Sequence, residues 1–89
     1  MHWKTIPLHA GDLIVLQDTV MLVVSCMIID GAPKLVADRY HEVDRPHAGA
    51  VRLRLAASHC TVDLTSMSGG LYHMSRWYNL EPGYIMALT

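Results

Sequence analysis

The chain has 89 residues, 52% of them apolar, and its seven lysines and arginines nearly balance eight acidic residues to leave a formal charge of −1. A chain this short forms one domain and buries only about 60% of the surface its unfolded form exposes, so the apolar content exceeds what one small interior needs. The balance of charge excludes a global basic field for phosphates or an acidic tail that mimics nucleic acid, and the excess apolar surface points to another subunit or a partner.

In chain order, Met1-His2-Trp3-Lys4-Thr5 lacks the basic start and cleavage site of a signal peptide. Leu13 to Leu16 and Val20 to Ile29 are rich in β-branched residues, with a turn expected at Asp18-Thr19. The second of these runs is the longest apolar stretch, about half the ~20 residues a spanning helix requires. Asp30-Gly31 is well suited to a two-residue turn with positive φ, and Lys34 to Tyr40 reads as the returning strand. His41 to Ala50, with Pro46, Gly49 and no periodicity, reads as a loop.

Val51 to Leu55 and Cys60 to Leu64 each alternate, which predicts a second hairpin turning at Ala57-Ser58, with Arg52 opposite Asp63. Leu71 to Trp77 fits a strand better than a helix, and Leu80-Glu81-Pro82-Gly83 turns the chain into a last strand, Tyr84 to Leu88. The fold class expected is therefore mostly β: a small curled antiparallel sheet, or an SH3-like or OB-like barrel, of five to seven short strands in one domain over residues 1–89. The alternative is a small α+β fold with residues 71–80 helical.

Cys26 and Cys60 are far apart and outside any paired-ligand spacing, so neither a disulfide framework nor a zinc knuckle is indicated and a reducing, cytoplasmic location is expected. His41, His47, His59 and His73 could in principle converge with Cys60 or Asp63, but none has the helical i, i+4 or Cys-x-x-Cys spacing of a metal site. Nothing resembles a nucleophile elbow or a Cys-His framework, and Ser68-Gly69-Gly70 lacks the lysine of a phosphate cradle. No catalytic residue, metal or cofactor is expected, and Cys26 reads as a small core residue.

The residues left for function are exposed arginines and aromatics: Arg52, Arg54, Arg76, Tyr72, Trp77 and Tyr78. Such groups anchor protein interfaces without any need for net charge. On a small barrel they also stack single-stranded nucleic acid, although Asp38, Glu42, Asp44 and Asp63 interleave with the positive charge and cancel much of its field. A non-catalytic protein-binding module is the primary expectation and a single-stranded nucleic-acid-binding barrel the alternative.

A small stand-alone barrel of this style suits an inhibitor or adaptor of the kind phages and mobile elements use to block a host protein. Val20 to Ile29 is apolar at nearly every position, so a second apolar face built on Met21, Val23, Met27 and Tyr40 is expected to drive homodimerisation or capture of a partner.

Overall fold

A computed structural model describes residues 8–47, 49–64, 71–73 and 76–88. They form seven strands: β1 (Leu13–Leu16), β2 (Thr19–Ile29), β3 (Ala32–His47), β4 (Ala50–Asp63), β5 (Leu71–His73), β6 (Arg76–Glu81) and β7 (Tyr84–Leu88). Residues 71–73 and 76–81 are strands, so the helical alternative for 71–80 is overturned.

Three two-residue turns are dictated by local chemistry. Asp30 and Gly31 both have positive φ, 53° and 78°, the geometry that matches the twist of the flanking strands and that glycine adopts without steric cost. Pro82-Gly83 follows the same logic, with proline pre-setting its own φ and Gly83 at φ 84°. The first hairpin turns at Gln17-Asp18, one residue earlier than expected, and holds φ of 51° and 61° with no glycine at either position.

The sheet is antiparallel throughout, in the order β5-β1-β2-β3-β4-β7-β6. β5 and β6 lie at its opposite ends, yet only two residues separate them in the chain. Laid flat, seven strands would put those ends roughly 29 Å apart, whereas three Cα steps reach no more than about 11 Å. The sheet must therefore curl until its ends approach, and the Trp77 indole on β6 donates to the Gly11 carbonyl beside β1 at 3.0 Å across the seam. Among the described residues no ladder joins β5 to β6, so the curl stops short of a closed barrel. Strands β1 to β4 are a simple meander and lack the Greek key of an OB barrel.

Two regions depart from the expectation, the middle of the chain and β2. The expected loop at 41–50 is mostly strand, and 51–64 is no hairpin: β3 and β4 run 16 and 14 residues and pair with each other along most of their lengths. Irregular register absorbs what the sequence shows as breakers. Pro46 falls between the pairs Asp44–Arg52 and His47–Ala50, where no regular ladder hydrogen bond is required of it, and His59 takes φ 54° at the interruption between Cys60 and Ala57. Arg52 therefore lies opposite Asp44, and Asp63 instead meets Lys34 in a 3.0 Å ion pair.

The second region is the doubly apolar strand. Side chains alternate across β2, and each of its faces meets its own core. Met21 and Val23 join Ile14, Leu16, Leu35, Ala37 and Leu64 on one side, while Val20 and Leu22 pack with Leu13, Tyr40, Val51, Leu53, Ile85 and Ala87 on the other. Met21, Val23 and Tyr40 are at most 8% exposed, so the expected self-association face is interior. A bulge between Val23 and Ser25 then reverses the parity, sending Cys26 opposite Leu35 and Met27 opposite Lys34. Met27 thus shares no face with Met21, and Cys26, expected in the core, is exposed.

Non-glycine residues with positive φ are strained by roughly 1 kcal/mol or more, so replacing Gln17-Asp18 by Gln17→Asn with Asp18→Gly is expected to stabilise the fold by about 1 kcal/mol. In a domain of this size that raises Tm by about 4–8 °C, measurable by thermal unfolding. Trp77→Phe keeps the packing and removes the seam hydrogen bond, which is expected to cost about 1 kcal/mol. The same melts check it.

Candidate functional site

The second core fixes which side chains of β4, β6 and β7 face outward. Val51 and Leu53 pair with Ala87 and Ile85 on the inner side, so the alternate residues Arg52 and Arg54 stand on the outer side opposite Met86 and Tyr84. One strand further, Tyr78 lies opposite Met86, and Arg76, two residues away, points the same way. On the other flank His41 lies opposite Arg54. The outer face therefore carries His41, Arg54 and Tyr84 in one row and Arg52, Met86 and Tyr78 in the next.

On this face lies an open concavity of about 380 Å³ lined by His41, Glu42, Val43, Arg52, Arg54, Glu81 and Tyr84, with Tyr78 and Met86 outside its lining. The Arg52 guanidinium lies 6.0 Å from the centre of the Tyr84 ring, at the outer limit of a cation–π contact, which favours a defined orientation over a mobile one. Arg54, Glu42 and Glu81 are exposed and Tyr78 is 51% exposed, so both signs of charge and an aromatic surface face solvent together.

Of the six binding residues expected from sequence, Arg52, Arg54, Arg76 and Tyr78 share this face. Trp77 does not: it packs on the inner core and spends its indole N–H on Gly11. The backbone of Tyr72 pairs with Val15 on β1, at the far end of the strand order, and its side chain is outside the described residues. Tyr84, His41, Glu42 and Glu81 line the groove but are not among those six. Alternation within β7 could have exposed Tyr84, but only the β4–β7 pairing places it beside Arg54.

Among the described residues no group of three or more histidines, cysteines or acids could hold a metal ion. The His59 backbone N–H donates to Asp38 Oδ1 at 2.8 Å, with the imidazole Nδ1 3.7 Å from the same oxygen, so this pair shapes the β4 irregularity. Burial, with a smaller contribution from Asp38, pushes the Tyr40 hydroxyl above its ordinary range and keeps it protonated. Cys26 is also raised, first by partial loss of water around the thiol and then by the negative charge of Asp12.

An exposed thiol with a raised pKa reacts in the native state, slowly at neutral pH and faster as pH climbs toward that pKa and thiolate accumulates. Asp12→Asn removes the opposing charge and is expected to speed maleimide labelling of native Cys26 at pH 8, read by mass spectrometry; an unchanged rate would argue against the electrostatic coupling.

Comparison of the chain with protein-family models, with curated proteins and with solved structures finds no match in any of the three.

Proposed function

We propose that the protein is a non-catalytic binding module for another protein, acting as an inhibitor or adaptor through the outer face of β4, β6 and β7. The observation that carries this reading is the gathering of Arg52, Arg54 and Tyr84 with Glu42 and Glu81 around one open groove, with Tyr78 exposed on the same sheet face. Arginine and tyrosine are the residues most often found as energetic anchors of protein interfaces, because each covers a large area while offering hydrogen bonds. Interleaved carboxylates suit a partner surface that bears both signs of charge. They also oppose a polyphosphate backbone, whose binding draws on uncompensated lysine and arginine.

The test is capture from a lysate by the full chain, with and without nuclease, compared with Arg54→Glu and Tyr78→Ala. Nuclease-resistant capture of a defined protein is expected, weakened by about 2 kcal/mol, roughly thirtyfold, in Arg54→Glu. Both variants are exposed and should melt like the parent. Capture that vanishes with nuclease would favour single-stranded nucleic acid instead, and capture indifferent to both substitutions would rule out this face.

A further inference from the structure

β2 outruns its neighbour. β1 pairs with Thr19 to Leu22, and Gly11 and Asp12 hydrogen-bond with Val23. Beyond that point β2 pairs with β3 on one side and, among the described residues, with no strand on the other. Cys26, Met27 and Ile28 are exposed there, Ile28 at 61%. A strand edge left open presents a row of N–H and C=O groups that template another strand, and proteins usually blunt such edges with charge, proline or a bulge. β6, at one end of the sheet, carries Arg76 and Glu81, and the free length of β4 is interrupted at His59. The segment Ser25-Cys26-Met27-Ile28-Ile29 has no charge and no proline, and its bulge lies before it.

We propose that this edge pairs with the same edge of a second copy, antiparallel about a two-fold axis at Met27, so that two sheets become one. An isologous contact requires a strand complementary to itself. A two-fold axis perpendicular to the sheet keeps each face continuous, so the axis passes through a residue position and residues of like parity meet. Centred on Met27, the pairing sets Cys26 against Ile28 and Ser25 against Ile29 and uses the whole open segment. Centred on Cys26, Ile29 would need Val23, whose outer hydrogen bonds are already taken by Gly11 and Asp12.

Charge supports the same register. The two Asp30 residues lie six positions apart along the paired strands, roughly 20 Å, well past the screening length of about 8 Å. A five-residue pairing buries less than the 1,200–2,000 Å² typical of stable complexes, so the dimer forms reversibly with rising concentration. The edge lies roughly 30 Å along β4 from Arg54, measured from Asp63 beside the tip, so this contact and the outer groove are tested separately.

The experiment is sedimentation equilibrium of the full chain from low to high micromolar concentration, with Met27→Lys and Ile28→Lys. The parent is expected to show a monomer–dimer equilibrium, and each lysine to weaken it about tenfold or more with an unchanged melting curve. In a Cys26→Ser, Cys60→Ser background, Met27→Cys places the single thiol on the axis and should give a disulfide-linked dimer on mild oxidation, whereas Ala56→Cys on β4 should not. A parent that stays monomeric at high micromolar concentration, a dimer indifferent to both lysines, or cross-linking from position 56 in place of 27 would overturn the proposal.

Discussion

The ends of the sheet must approach each other because two residues are all that join β5 to β6. Everything else in the architecture accommodates that short span. Curling brings Trp77 back to Gly11, encloses Leu53 and Ile85, and turns the opposite face of β4, β6 and β7 outward as a platform. A longer connection would let the same strands lie flatter, and the inner core would lose the closure that keeps Leu53 fully out of solvent.

Curling also accounts for the unusual apolar content. A half-solvated antiparallel strand alternates apolar with polar residues, but the β1–β2 hairpin is a wall shared by two cores. Its composition is that of a central, doubly covered strand. Among the described residues the apolar excess is thus largely spent inside, and the large apolar side chains left exposed are Met27 and Ile28 at the far end of β2, Val43 in the groove, and Tyr78 and Leu80 on β6.

Local chemistry made part of this legible. Asp30-Gly31 and Pro82-Gly83 name their own turns, and the β-branched run from Val20 names a strand. Alternation placed Arg52 and Arg54 together on one face before any pairing was known. The rest was hidden by events that leave no local mark. A single extra residue at Val24 swaps the faces of everything after it, so Cys26 and Met27 exchange sides of the sheet. His41 to His47 has no periodicity of its own and is strand because β4 pairs with it. Trp77 looked like an exposed aromatic because its partner is 66 residues away.

The wiring has a kinetic side. The contacts among β1, β2, β3 and β4 are between chain neighbours joined by tight turns, and each can form with little loop to close. The pairing of β1 with β5 and the indole bond from Trp77 to Gly11 instead join segments separated by most of the chain. Chain entropy favours assembly of the meander first and the seam last. The seam is then also the place where the folded protein opens most readily, since releasing it frees two short end strands and leaves the long β3–β4 ladder intact.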